Sequence, residues 1–303
     1  MSKTKSKTGK KTSVEKKDVP IPYSDTEKVP PYLLRNLVDI FYDFQGQRIQ
    51  TQLRIGAAKR EHSLDEDQLS IYGITTIFEN AQTFEKDIEK LIKEQLKNHA
   101  IYNQYLIKIT GLGPMLAAAL IAYTDDIKEF YSPSSLWQYC GYGGNTFCPY
   151  CKKPTFINKK YKSGKVAKML QPFETCPMCD NKTEFIIQKR TAGYASNWNP
   201  KYRSLVWKVG KSFVMQQSKR SGYRRIYDHF KKAEKRKHPK IVKKDNRQFY
   251  TPGHLHDRAM RKTVKVFLVH FWQTWRRQEG LPASEPYTQK LLNHSTIEAF
   301  TDD

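Results

Sequence analysis

The fold is decided in the middle of the chain, where residues 109–124 read ITGLGPMLAAALIAYT. Gly111 and Gly113 permit a tight turn in which the backbone can approach a ligand, and the proline that follows suits the first position of a helix. Amide groups at such a turn can bind one backbone phosphate. Residues 101–144 therefore have the form of a helix–hairpin–helix element, with Gly111, Leu112 and Gly113 as predicted nucleic-acid contacts. An ordinary turn between two helices has the same pattern.

Towards the N-terminus, residues 31–100 carry apolar side chains at three- and four-residue steps, which predict a pair of helices. In the second helix these side chains form the seam of a coiled coil, and they are Ile74, Ile77, Ala81, Phe84, Ile88 and Leu91. Such a seam suits either an antiparallel hairpin within the chain or a dimer interface, and we expect a homodimer. Residues 1–22 are almost devoid of apolar side chains and are predicted to be a disordered basic tail, which can also serve as an arm that follows phosphates.

Towards the C-terminus, residues 189–283 return to helical spacing and form a basic helical region, followed by an expected tail at 284–303. One face of the last helix is apolar, with Leu255, Met260, Val264, Phe267, Leu268, Phe271 and Trp275. Trp207 and Phe213 also lie at helical spacing and are interpreted as core residues. Cys140 follows aromatic residues on an apolar helix and is interpreted as a small buried residue.

Cationic side chains that lie beside aromatic ones can hold phosphates while the rings stack on bases or pack against sugars. This combination recurs in the second half of the chain, first in a basic loop and then along the helices. The predicted contacts of this kind are Lys152, Lys153, Arg203, Arg224, Arg225, Arg258, Arg261 and Lys262.

Four of the five cysteines form two Cys-x-x-Cys pairs, Cys148-Pro-Tyr-Cys151 and Cys176-Pro-Met-Cys179. Zinc prefers four soft ligands at tetrahedral corners, and a two-residue gap lets two thiolates from one turn occupy adjacent corners. A closed site of four cysteines leaves no position for water, so the predicted zinc is structural. A redox-active Cys-x-x-Cys is the rival interpretation, but the presence of two such pairs disfavours it. Residues 145–188 are therefore expected to form a small β-rich zinc-ribbon insert.

The charge of the chain favours a polyanionic partner. The chain has 303 residues with 53 Lys and Arg against 30 Asp and Glu, a formal net charge of +23. DNA or RNA is the expected partner, bound with a steep dependence on salt, and an acidic protein is the alternative. No run of about 18 apolar residues is present, and the N-terminus lacks the apolar core of a signal peptide. A membrane protein and a secreted protein are therefore not expected, and a cytoplasmic, nucleoid-associated location is.

The segment from Gly111 to Ile127, followed by Phe130-Tyr-Ser-Pro-Ser-Ser-Leu-Trp-Gln-Tyr-Cys-Gly141, resembles the C-terminal transposase domain of the insertion-sequence 110/116/902 family. Members of that family pair a Gly-[Ile/Leu]-Gly-Pro hairpin and an Ala-rich helix with a segment that contains Leu-x-x-Tyr-x-Gly. Arg258-Ala-Met-Arg-Lys262 is similar to the family's Ala-x-x-Arg-Lys. The predicted helical pair sits where the family has its dimer-forming helices, so the resemblance covers residues 31–278.

The resemblance implies a chemistry that joins an N-terminal RuvC-like domain, with four metal-binding carboxylates, to a nucleophilic serine in the C-terminal domain. Nothing before residue 31 resembles a RuvC-like sheet, so Mg²⁺ is expected only if the protein is catalytic. A separately encoded RuvC-like nuclease subunit is then an expected partner. Ser196 lies nearest the nucleophile position and is the catalytic candidate. Asp125 and Asp126 are interpreted as helix-end or capping residues rather than metal ligands.

These observations predict a mainly α protein with a coiled-coil helical pair, a transposase-like helix–hairpin–helix domain and a zinc-ribbon insert. The resemblance implies DNA transposition or site-specific recombination, with a structured guide RNA in some members of the family. The alternative is a DNA- or RNA-binding protein that derives from a transposase and does not cut. Whether the chain is an enzyme is left open at this stage.

Overall fold

The computed structural model describes residues 31–244, 247–284 and 297–302, so the predicted tail at 1–22 lies outside the described residues. The helices are α1 (Pro31–His62), α2 (Glu66–Ile71), α3 (Ile74–Leu96), α4 (Ala100–Gln104), α5 (Pro114–Thr124), α6 (Pro133–Tyr139), α7 (Pro200–Met215), α8 (Gly222–Lys237) and α9 (Pro252–Gln278). The strands are β1 (Gly144–Phe147), β2 (Phe156–Lys160), β3 (Val166–Leu170), β4 (Glu184–Ile187), β5 (Val242–Lys244) and β6 (Arg247–Phe249). Within the described residues, no helix combines the length and the hydropathy that a bilayer crossing requires.

Helices α1 and α3 form the predicted pair within one chain. The chain reverses through α2, whose N-cap Asp65 and third residue Gln68 form a reciprocal capping box, and α3 then runs back along α1. An ion pair between Arg48 and Glu85 joins the two helices. The seam predicted on α3 is split between two environments. Its positions Ala81 and Ile88 face α1 or the core, whereas a second set spaced by seven residues is exposed, and this set is Ile77, Phe84 and Leu91.

Helix α5 lies at the centre of the core. Every residue from Ala117 to Thr124 is buried, because α1, α3 and α7 surround the helix. The buried hydroxyl of Thr124 is satisfied by a hydrogen bond with the Tyr202 hydroxyl at 2.6 Å, as a buried polar group requires. Asp126 caps the short 3₁₀ turn that follows by accepting the N–H of Lys128, and Asp125 lies at the C-terminal end of α5. Both aspartates are therefore helix-end residues, as expected.

Helices α7, α8 and α9 complete the core. The apolar face predicted for the last helix is confirmed, because all seven of its named side chains are buried. The helical stretch after residue 200 is interrupted, since α8 starts anew with Ser221 as its N-cap, accepting the N–H of Arg224. Phe213 and Cys140 are fully buried, as interpreted from the sequence. Trp207 is 44% exposed, so its assignment to the core is wrong.

The insert after α6 is the β-rich part of the molecule. Strand β1 pairs with β4 in an antiparallel ladder, and β2 pairs with β3 in a second antiparallel ladder. The fully buried side chain of Gln188 fastens the insert to the helices: its carbonyl accepts the Gly143 N–H at 3.1 Å and its amide donates to Asn197 Oδ1 at 2.8 Å. The predicted fold class, mainly α with a small β-rich insert, is confirmed.

Residues 297–302 pack on the body, in contrast to the expectation of a tail at the C-terminus. The Phe300 ring lies 4.7 Å from the Tyr223 ring. Both oxygens of the Asp302 carboxylate accept backbone N–H groups, from Thr110 at 2.9 Å and from Gly222 at 2.6 Å. This segment therefore joins the glycine turn to the start of α8. No local pattern in the sequence indicates this contact.

Candidate metal centre and nucleic-acid interface

The two Cys-x-x-Cys pairs adopt the same backbone turn. In each pair the residue after the second cysteine has a positive φ, 59° at Lys152 and 54° at Asp180. In each pair the N–H of the first cysteine donates to the carbonyl five residues on, at 3.0 Å in the Cys148 turn and 2.8 Å in the Cys176 turn. This repetition brings four thiols together from two segments that are distant in the chain.

The four thiols fit a tetrahedral ion. Their sulfur atoms all lie within 4.8 Å of one another, with Cys148 Sγ 3.3 Å from Cys179 Sγ and Cys151 Sγ 3.7 Å from Cys176 Sγ. Zinc–sulfur bonds of about 2.3 Å in a tetrahedron place the sulfur atoms about 3.8 Å apart. The Asn181 side-chain amide donates to the Cys179 carbonyl at 3.0 Å. The side-chain and backbone amides of Asn181 also lower the pKa of the Cys179 thiol, which favours the thiolate that a metal requires. The set can therefore hold a metal ion.

A basic hairpin, formed by β2, β3 and their connecting turn, projects between the two cysteine turns. Residues 152–173 contain seven lysines and no acidic residue. All seven lysines are exposed, and no ion pair joins any of them to a carboxylate in the described part of the chain. Two of the ammonium groups lie over aromatic rings, Lys168 over Phe156 at 5.0 Å and Lys159 over Tyr161 at 5.7 Å. Lys152 and Lys153, both predicted contacts, lie at the base of this surface.

The glycine turn is built as the sequence predicts, but it is partly engaged within the chain. Gly111 has a φ of +99°, which an L side chain rarely adopts, and Gly113 is the N-cap of α5. The Gly111 carbonyl accepts the Ser212 hydroxyl. The predicted nucleic-acid contact at Leu112 does not fit the structure. The Leu112 side chain is buried in the core, and its N–H donates to Ile109 O at 3.0 Å. Leu112 therefore supports the turn and does not offer a contact.

Two of the predicted cationic contacts lie on α8. The predicted contact at Arg224 also does not fit the structure. Its guanidinium donates to the carbonyls of Val214 and Gln216 at the C-terminal end of α7, and to the Asp228 carboxylate. Its neighbour Arg225 is exposed and donates only to the Ser218 carbonyl, at 3.2 Å. Arg224 thus has a structural role, and Arg225 remains on the surface.

Two cations of α9 meet at a buried carboxylate of α8, a contact that the sequence did not reveal. Glu234 is 1% exposed, and its oxygens accept from Arg258 at 2.6 Å and from Lys262 at 2.5 Å. These two cations hold the pKa of Glu234 below its usual value, against the opposing effect of burial. Arg258 and Lys262 are half-exposed, so their outer atoms still face solvent while their charge is balanced by Glu234.

Ser196, the catalytic candidate, lies in the loop between β4 and α7. It follows Ala195, whose N–H donates to Lys168 O at 2.7 Å beside β3. Within the described residues, no histidine, lysine or carboxylate forms a hydrogen bond with the Ser196 hydroxyl. A serine nucleophile needs a base or a metal to remove its proton, and among the described residues no such base is hydrogen-bonded to Ser196.

A groove between α7 and α9 brings the remaining predicted arginines together. Arg203 and Arg261 line a cavity of about 600 Å³ with the exposed Trp207. Arg203 also lies over the Trp198 ring at 5.4 Å, and Arg261 over the Tyr142 ring at 5.6 Å. The structure brings together these two arginines, which the sequence proposed separately as contacts, and the place of Trp207 in the same groove was missed.

The segment that contains the glycine turn also carries the likeness to known proteins. Residues 103–143 match the model of the Transposase IS116/IS110/IS902 family. This transposase-type segment runs from the end of α4 to the residue before β1 and includes the buried helix α5. The resemblance expected from the sequence is confirmed over these residues. A comparison with curated proteins found no match.

Proposed function

We propose that the chain is a transposase-like protein that binds DNA by its backbone and acts in DNA transposition or site-specific recombination. The observation that supports this most directly is the position of the transposase-type segment, residues 103–143, immediately before the insert that bears the basic hairpin. Seven lysines without a single carboxylate produce a strong local positive potential. The exposed Arg225 and the partly buried Arg203 and Arg261 add positive charge on the helices.

Zinc is the proposed ion of the four-cysteine set, with a structural role. Thiolate ligands and tetrahedral spacing are typical of structural zinc. Cys148 and Cys151 precede the basic hairpin, whereas Cys176 and Cys179 follow it. The ion would therefore hold the two ends of the hairpin at one point and orient the lysines relative to the helices.

A homodimer is the proposed assembly. Ile77, Phe84 and Leu91 form an exposed apolar line along α3 at seven-residue spacing, which suits a second helix packed against it. Replacing Ile77 and Leu91 by Glu should yield a monomer in analytical ultracentrifugation. Tyr131→Glu, at an exposed aromatic residue elsewhere, should leave the mass unchanged. A wild-type protein that sediments as a monomer at micromolar concentration would remove the dimer from the proposal.

DNA binding is tested through its salt dependence. Each phosphate contact contributes about 0.9 to the slope of log affinity against log salt. Changing Lys159, Lys160, Lys162 and Lys165 to Gln should weaken duplex binding and reduce that slope. The matched control changes four exposed lysines on α3 and at its C-cap to Gln, namely Lys86, Lys90, Lys93 and Lys97. Equal effects from the two quadruple variants would contradict the role of the hairpin, and an absence of all DNA binding in dilute salt would overturn the proposed function.

Cleavage separates two forms of the proposal. In the first form the chain works with a separately encoded RuvC-like nuclease subunit, in some cases directed by a guide RNA, and Mg²⁺ is used in the joint site. In the second form the protein binds DNA or folded RNA without cutting, which the lack of a hydrogen-bonded base at Ser196 among the described residues favours. Purified protein is incubated with supercoiled DNA and junction DNA in Mg²⁺. Cleavage by the wild type that disappears in Ser196→Ala would establish an enzyme and contradict the second form.

A further inference from the structure

The groove between α7 and α9 combines an exposed indole with cations in a way that the helical packing does not require. Arg203 and Trp207 are one turn apart on α7 and therefore share a face, and Arg261 faces them from α9. One side of the Trp207 ring carries the Lys211 ammonium at 4.5 Å. The residue is nevertheless 44% exposed, so the indole presents a large apolar surface to solvent at the mouth of the groove.

The charges of the groove are unbalanced. Arg203, Lys208 and Arg261 line it, and Asp257 is the one carboxylate among its described lining residues. Arg261 Nη1 is buried and has no hydrogen-bond acceptor within the described part of the chain. Burial lowers the pKa of Arg261, and the nearby charge of Arg203 acts in the same direction, whereas Tyr142 and Asp257 oppose the shift. A buried guanidinium without an acceptor is costly, so an anion bound here would compensate both the repulsion and the unused donor.

The width of the groove is fixed by a close approach of its two walls. A Cβ added to Gly210 on α7 would lie 2.7 Å from Val264 Cγ2 and 3.0 Å from Met260 Cγ on α9. Because no side chain separates the helices at this point, Trp207 and Arg261 are held on opposite walls of one rigid groove. Its volume of about 600 Å³ is within the usual range for small-molecule sites.

We propose that this groove binds an unpaired nucleotide, with the base stacked on Trp207 and its phosphate held by Arg203 and Arg261. The inference rests on the proposed function and extends it, because a base inside a duplex is stacked on its neighbours and cannot reach the indole. Aromatic stacking is tolerant of base identity, so the groove selects unpaired over paired nucleic acid and not one sequence over another. Unpaired DNA and unpaired RNA offer the same chemistry, and the experiment separates them.

The test compares fluorescein-labelled oligothymidine of about 12 nucleotides, within the usual site sizes, with its duplex and with oligouridine. Fluorescence anisotropy at fixed salt gives the affinities. Trp207→Ala should weaken oligothymidine binding by about 10-fold, since one base stack is worth about 5- to 160-fold, and should change duplex binding by less than a factor of about two. Trp207→Phe should retain most of the affinity. Tyr131→Ala, at an exposed aromatic residue outside the groove, is the matched control.

A second pair of variants tests the phosphate contact. Arg261→Gln should weaken oligothymidine binding, whereas Arg225→Gln, at an exposed arginine that does not line the groove, should weaken it less. Thermal melting identifies any variant that fails to fold. If an arginine variant does not fold, the comparison of Trp207→Ala with Trp207→Phe is the test. Unchanged oligothymidine binding in Trp207→Ala, or an equal loss for single strand and duplex, would overturn the proposal while leaving the proposed function intact. If Trp207→Ala weakens the binding of oligothymidine and oligouridine equally, the groove binds both unpaired DNA and unpaired RNA. If it weakens the binding of one of them, the groove binds that polymer.

Discussion

The helical body and the four-cysteine insert are stabilised by different means. The body, α1 to α9 without the insert, surrounds the buried helix α5 with a continuous apolar core. In the insert, few side chains are buried; apart from the cysteines, the buried ones include Leu170, Thr146 and Thr155. Strands β2 and β3 are exposed along most of their length. The insert therefore cannot depend on apolar burial for its stability. A metal ion bound by the four thiols can take the place of a hydrophobic core.

This difference shows which part of a protein can carry many like charges. A large apolar core tolerates few charges, because buried charges are costly unless they are paired, and the body uses Glu234 to balance its two neighbouring cations. The insert buries almost nothing, so it can carry seven unpaired lysines without that cost. A densely basic surface therefore lies in the part of the molecule that buries little apolar area.

Loss of metal should have the largest effect and should be confined to the insert. A Cys148→Ser/Cys176→Ser variant, or chelation of the wild type, should unfold residues 144–187, since structural zinc contributes on the order of 10 kcal/mol to the folding of such modules. Hydrogen exchange measured by mass spectrometry should show lost protection there and unchanged protection in α5 and α9. Cys140→Ala, at a buried thiol outside the set, should retain the metal. Full protection of the insert after chelation would contradict the comparison.

Removal of a core ring should destabilise the body and spare the metal site. Phe267 is fully buried and contacts the rings of Phe213 and Tyr223, each at 5.3 Å. Phe267→Ala should lower the free energy of unfolding of the body by about 3–5 kcal/mol, as measured by denaturant titration with helical circular dichroism. The control Phe185→Ala, at an exposed ring on β4, should cost less than about 0.5 kcal/mol. A loss of bound metal in Phe267→Ala would show that the two regions are coupled.

Acid should weaken the body through His270. Burial lowers the pKa of His270 from 6.5 to about 4, and the ring lies between the Tyr223 hydroxyl at 2.8 Å and the Ile297 carbonyl at 2.7 Å. Because the folded state holds the neutral ring, the stability contribution is complete above pH 6.5 and is lost as the pH falls to about 4. The loss should reach about 3 kcal/mol. A His270→Gln variant should flatten this part of the stability curve, and an unaltered curve would rule His270 out as the cause.

The buried carboxylate of Glu234 should give the smallest of these effects. Glu234→Gln leaves Arg258 and Lys262 without their counter-charge, and both cations are half-exposed, so water partly compensates. We expect a loss of about 2 kcal/mol. Glu89→Gln breaks an exposed ion pair with Lys93 and should cost about 0.5 kcal/mol or less. Equal losses in the two variants would mean that burial adds nothing to the interaction at Glu234.

The sequence correctly predicted the features that depend on residues close together in the chain. The apolar face of α9, the helical pair and the spacing of the cysteines each depend on residues within a few turns of one another, so local rules apply. The exposure of Trp207 also had a local signal. The buried positions of α7 recur at Tyr202, Leu205, Val206, Val209 and Phe213, and Trp207 lies off that stripe.

Contacts between distant segments were not predictable in the same way. The pairing of Glu234 with Arg258, the hold of Arg224 on the end of α7 and the docking of Asp302 at the glycine turn depend on how helices pack. An arginine such as Arg224 looks the same in the sequence whether its side chain contacts a phosphate or a backbone carbonyl. The start of α8, by contrast, has a local signal, because Ser221 is a residue type that favours the N-cap position.

The two cysteine turns lie at the two feet of the basic hairpin, and their sulfur atoms approach to 3.3 Å between Cys148 and Cys179. A metal ion bound to both cysteine pairs, as proposed, would clamp the two feet, so that the hairpin loses its conformational entropy when the protein folds and not when it meets a ligand. A flexible loop of the same charge would incur that loss at each encounter. The clamp therefore favours affinity without adding a contact, and it makes the shape of the lysine surface a property of the free protein.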